Sequence, residues 1–108
     1  MIKSVFRGIR WLPSAGLVLI LVAATPIEAS DVAQGRNHYQ RHCAICHGQD
    51  GRPSMAGAAD FKRGQGLMQS DRALAERIER GNLACPAYRG ILTEQEIFDV
   101  IAYIRTLF

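Results

Sequence analysis

Residues 43–47 read Cys-Ala-Ile-Cys-His, and no other stretch of this 108-residue chain limits its fold so tightly. The spacing is that of covalent haem attachment. Two thiols three residues apart at the end of a helix can add to the two vinyl groups on one porphyrin edge, and the next residue is then held under the iron. Cys43 and Cys46 are therefore candidate thioether attachment points for one covalently bound haem c, and His47 is the candidate proximal ligand. The competing chemistry for two cysteines at this spacing is a disulfide. A redox pair of the thioredoxin kind would need a βαβ context, which the sequence lacks.

Where such a haem is attached bears on the N-terminus. Lys3, Arg7 and Arg10 precede an unbroken small or apolar run, Ala15 to Ala24, and Ile27-Glu28-Ala29 ends on a small residue. That arrangement predicts a cleaved secretory signal peptide over 1–29 and places the mature chain in the periplasm. An uncleaved membrane anchor is the alternative. The uncharged stretch from Trp11 to Ile27 is short for a span and contains Pro13 and Pro26. The formal charge of +3 largely belongs to this leader: residues 30–108 carry ten Lys and Arg against nine Asp and Glu, a net +1. With no basic cluster interleaved with aromatics, a nucleic-acid partner is excluded.

The remaining 79 residues make one domain, 30–108, too small to rely on a hydrophobic core alone. Periodicity predicts an all-α fold with three main helices. The first runs from near Asp31 to about Cys46, capped by Ser30 or Asp31. Glycines and Pro53 make 48–69 a loop. Ser70 caps a middle helix that Gly81 stops. Thr93 and Glu96 match a capping box, Leu92 and Ile97 a hydrophobic staple, and Ile97, Val100, Ile101, Ile104 and Leu107 form one stripe on the last helix.

Together these residues resemble the class I cytochromes c over essentially all of 30–108. Gly35 and Tyr39 stand where that family's first helix crosses its last, residues 43–48 match its haem site, Gly81 precedes its distal loop, and Asp99 to Arg105 look like its terminal helix. The resemblance implies three main helices wrapped around the haem, and electron transfer between redox partner proteins instead of enzymatic catalysis. It also implies a sixth iron ligand, normally a Met just before a Pro. Here that position reads Cys85-Pro86. Three roles for Cys85 follow: a thiolate ligand that lowers the potential, a small buried residue beside five-coordinate iron, or a thiol that is modified or bridged to another chain.

Ligation by His47 and Cys85 implies low-potential electron transfer or redox sensing. The alternatives are a haem-thiolate subunit of a sulfur- or nitrogen-compound-oxidising complex, and a module that binds CO or NO. Similar His/Cys cytochromes suggest a homo- or heterodimer with another small cytochrome. Met55 and Met68 are expected to pack in the loop or against the haem edge, and His38 and His42 to lie at the surface. Arg89, Lys62 and Arg63 are candidate partners for the haem propionates, with a solvated charge as the default. Pro53 is the candidate carbonyl for orienting His47. Leu107 and Phe108 are read as terminal core packing, or else a docking patch.

Overall fold

In the computed structural model, residues 28–108 are described, together with Gly8, Ile20, Leu21 and Ala23; the expected signal peptide, 1–29, lies mostly outside them. Asp31 begins the folded part. Its carboxylate accepts from the amides of Ala33 and Gln34 at 2.8 and 3.1 Å, which starts helix α1 (Val32–His42). Helix α2 (Ala44–His47), helix α3 (Asp71–Arg80) and helix α4 (Glu94–Ile104) follow, with a single 3-10 turn at Phe61–Arg63. Among the described residues there are no strands, only an isolated bridge between Arg89 and Leu92.

The expected first helix is in fact two. At Cys43 the backbone leaves helical geometry (φ −115°, ψ −34°), and the amides of Cys46 and His47 both turn back to the Cys43 carbonyl at 3.2 and 2.9 Å. The following loop then takes over the helix end: the Ser54 hydroxyl donates to the Ile45 carbonyl at 2.8 Å, and the Ser54 amide donates to the Cys46 carbonyl at 3.0 Å. No Gly or Pro marks the break, so side-chain periodicity could not show it.

Helix α4 forms as its sequence dictates. Thr93 and Glu96 cap it reciprocally at 2.8 and 3.2 Å, and Leu92 and Ile97, the staple pair, are both buried. Ile97, Val100, Ile101 and Ile104 are almost fully buried along one face, which is the centre of the core. The helix stops at Ile104, one turn short of Leu107, which still packs partly buried on the core.

The crossing of α1 and α4 is the largest helix–helix contact. A Cβ on Gly35 would overlap the Asp99 carbonyl, so only glycine lets the two backbones meet there. Asp99 itself is buried and accepts from the Asp31 amide at 2.8 Å and the Gln95 amide group at 2.9 Å, which ties the start of α1 to α4. Tyr39, with no exposed surface, fills the space beside this crossing and packs its ring 5.2 Å from Tyr103. The core is therefore complete on the α1/α4 side. On the other side, α2, the 48–69 loop, α3 and the 82–92 loop surround a space that protein atoms do not fill.

Candidate haem site

That space is a cavity of about 440 Å³, within the range of cofactor sites. Five segments line it. The motif contributes His42, Cys43, Cys46 and His47; the long loop Met55, Phe61 and Leu67; α3 Leu74 and Ile78; the next loop Asn82, Cys85, Pro86 and Tyr88; and α4 Ile101 and Ile104. The four residues singled out for haem and iron, Cys43, Cys46, His47 and Cys85, thus come together at one wall or another of a single, mainly apolar cavity.

The imidazole of His47 is held from two sides. Its Nδ1 lies 3.0 Å from the Ala59 carbonyl. A carbonyl only accepts, so Nδ1 carries the proton and Nε2 keeps the lone pair a metal needs. The expected partner, Pro53, gives way to Ala59, because the loop must run further before it returns to the ring. Phe61 stacks on the same imidazole with centroids 4.3 Å apart and planes 17° off parallel. Neither contact was legible in the sequence: both lie more than ten residues from His47, across the glycine-rich loop.

No two of the cysteines are joined in a disulfide. Burial pushes the Cys43 thiol up to about 12, with Cys85 and Cys46 adding to the shift. Cys85 is also raised, first by burial; the Arg77 guanidinium opposes this and Cys46 adds to it. At neutral pH both are therefore neutral thiols in the polypeptide alone. An unbridged CxxC pair next to a histidine with one free nitrogen, on the wall of an apolar cavity, fits covalent haem.

Cys85 sits on a loop closed at both ends. Asn82 Oδ1 accepts from the Ala84 and Cys85 amides at 3.0 and 2.7 Å, while the Asn82 amide donates to the Cys85 carbonyl at 2.8 Å. Gly81 has φ +63°, and a Cβ there would lie 2.5–2.6 Å from the backbone of Cys85, Pro86 and Ala87. At the other end the buried Tyr88 donates its hydroxyl to the His42 carbonyl at 2.8 Å and its amide to the Ile78 carbonyl at 3.1 Å. Tyr88 thereby joins the Cys85 loop to the residue just before Cys43.

The family-model match decides the identity: "Cytochrome C oxidase, cbb3-type, subunit III" fits residues 30–104. The chain belongs to the cytochrome c family. Its curated relatives include cytochrome c6 of Thermosynechococcus vestitus, 36% identical over 81% of this chain and 80% of that one, and cytochrome c6 of Thermostichus vulcanus, 34% identical over the same shares. Among solved structures it is similar to the c-type cytochrome KustC0563, with a TM-score of 0.61 and 28% identity over 68% of this chain and 95% of that one. The all-helical cytochrome c fold and one covalently bound haem c follow from this membership. So does the activity, which is electron transfer with redox partners and not enzymatic catalysis.

Other expected contacts of this cytochrome are redistributed. His42 is not a surface residue: it is half-buried, lines the cavity and packs edge-on to Tyr88 with centroids 5.6 Å apart. His38 is also more enclosed than expected, with its Nε2 3.6 Å from Glu96. Met55 reaches the cavity, whereas Met68 projects into solvent. Lys62, Arg63 and Arg89 are exposed and stand outside the lining, and Arg89 faces Glu79 at 3.8 Å. The cation that does line the cavity is Arg77, on α3. Leu107 packs on the core and against Gly51, as terminal packing requires, whereas Phe108 lies beside Gly64 and stays largely exposed. Among the described residues, no helix is long and apolar enough to cross a membrane.

Proposed function

We propose that this cytochrome is a periplasmic, low-potential electron carrier or redox sensor in which His47 and Cys85 ligate the iron. Residues 1–29 act as a cleaved signal peptide, and 30–108 form the mature domain. Cys43 and Cys46 form the two thioether links. Bound haem supplies a one-electron ferric/ferrous couple.

The residues of the chain set how that couple behaves. His47 offers Nε2 because the Ala59 carbonyl holds the proton on Nδ1, and the Phe61 ring fixes the plane of the imidazole. Cys85 offers a sulfur from the 82–88 loop. A thiolate is an anionic donor and favours ferric over ferrous iron, so the potential falls below that given by a neutral thioether such as Met. The single observation that carries this reading is the presence of Cys85 among the cavity-lining residues, on a loop pinned by Asn82 and Tyr88. Cys85→Met is expected to raise the midpoint potential strongly. An unchanged potential would remove Cys85 from the iron.

One observation favours a second property of the same site. Burial raises the Cys85 thiol, so proton uptake by the sulfur is favoured whenever the ferric charge is withdrawn. A neutral thiol is a weak ligand and can leave. With haem bound, loss of that thiol on reduction would leave a position for a diatomic ligand such as CO or NO. Addition of CO to the reduced protein tests this through the Soret shift of an adduct, and absence of an adduct refutes it.

A further inference from the structure

One wall of the cavity is formed by residues 65–69, which run from the 3-10 turn to the start of α3. Leu67 in this segment is almost completely buried and lines the cavity, as do Gln65, Gly66 and Gln69. Segments of this kind lack helical hydrogen bonds and open most easily. Here the Arg105 side chain closes it. Nη1 donates to the Leu67 carbonyl at 2.9 Å and Nη2 to the Gln69 carbonyl at 2.7 Å. Nε donates to Asp71 at 2.8 Å, and Nη2 stands 2.7 Å from the same carboxylate oxygen.

We propose that Arg105 is a positioning residue of the haem cavity, clamping the 65–69 wall and the start of α3 onto α4 and thereby limiting the access of water to the haem. Three features support this beyond ordinary surface pairing. The acceptors are residues 67, 69 and 71, so one guanidinium spans the whole junction between loop and helix. Arg105 directly follows Ile104, and Ile104 and Ile101 line the cavity from α4, so the clamp joins wall to wall. The planar fork of an arginine offers five donors on three nitrogens in fixed directions and so reaches acceptors spread over this span, whereas a lysine's three donors radiate from one nitrogen. The clamp itself does not depend on whether Cys85 ligates the iron, but the sign of its effect on the potential does: water favours the more highly charged oxidation state, which is ferric with a neutral sixth ligand and ferrous with a thiolate.

The test uses the full haem-loaded protein and three variants. Arg105→Gln is expected to shift the midpoint potential, upward with Cys85 thiolate on the iron and downward with a neutral sixth ligand, and to speed amide exchange in 65–70 by about tenfold, with α1 protected as in the native protein. Arg105→Lys keeps the charge without the fork and should shift both readouts the same way by less; it also serves where the Gln variant does not fold. Asp71→Asn removes the charged acceptor but leaves both carbonyl acceptors in place, and should shift both readouts less than Arg105→Gln. A lower melting temperature with native potential and native exchange in 65–70 would assign Arg105 a merely structural role and overturn the proposal. So would faster exchange spread equally over α1 and α4.

Discussion

The motif segment and the 82–88 loop face one cavity, but the fold holds them in different ways. The motif segment continues from the core: Tyr39 is fully buried and donates to the Gly48 carbonyl at 2.7 Å, one residue past His47. Gly35 brings α1 against α4, and Phe61 and Ala59 fix the imidazole. The 82–88 loop has a tight turn at one end, around Asn82, and Tyr88 at the other. Asn82, Leu83 and Ala84 between them are exposed. The His47 side of the cavity is thus held by packing that the whole domain shares, the Cys85 side by a short local device.

Substitutions can break this contrast, and the largest effect is expected on the motif side. Gly35→Ala forces a methyl into the Asp99 backbone and should cost about 3 kcal/mol of stability, read by chemical denaturation of the haem-loaded protein. Gly81→Ala meets both a positive φ and the backbone of residues 85–87. It should cost about 2 kcal/mol, and, unlike Gly35→Ala, it should alter the ferric absorption spectrum by displacing Cys85.

The two tyrosines make a closer pair. Tyr39→Phe leaves the buried Gly48 carbonyl without its donor and should lower stability by about 1–2 kcal/mol with the spectrum unchanged. Tyr88→Phe frees the His42 carbonyl and one end of the ligand loop. It should cost about 1 kcal/mol but increase the rate at which exogenous imidazole displaces the sixth ligand. If Tyr39→Phe had the larger effect on imidazole binding, the contrast between the two regions would fail.

The smallest effect belongs to the α4 cap. Glu96 is held below its ordinary carboxylate range, first by the Thr93 amide. A depressed acid contributes above its unfolded value and loses that contribution as pH falls through its folded one. Melting temperatures of native protein and Glu96→Gln should therefore converge as pH drops below about 4. A constant gap at all pH values would show that the carboxylate charge plays no part.

Much of this was legible in the sequence because it is encoded locally. The Cys-Ala-Ile-Cys-His pentapeptide, the Thr93–Glu96 capping box, the Leu92–Ile97 staple and the Ser70 cap are patterns of residues within a few positions of one another. The isoleucine stripe of α4 needed only the helical period. What escaped depends on where loops return. The Ala59 carbonyl, the Phe61 stack and the Arg105 clamp join residues 12, 14 and 34 to 38 positions apart, and no local pattern encodes them. The break at Cys43 escaped for another reason: it falls inside a continuous helical pattern with no Gly or Pro to mark it. His42 looks like a surface residue in the sequence because a half-polar helix face gives no sign of a cavity beside it.

Cys85 as the sixth ligand is the claim on which the functional reading turns, and the ferric low-spin EPR spectrum reads it directly. The native protein should give the narrow spread of g values typical of a thiolate opposite a histidine, and Cys85→Ala should abolish that signal while both thioether links remain. A native spectrum that persists unchanged in Cys85→Ala would contradict the account and return the sixth position to another ligand.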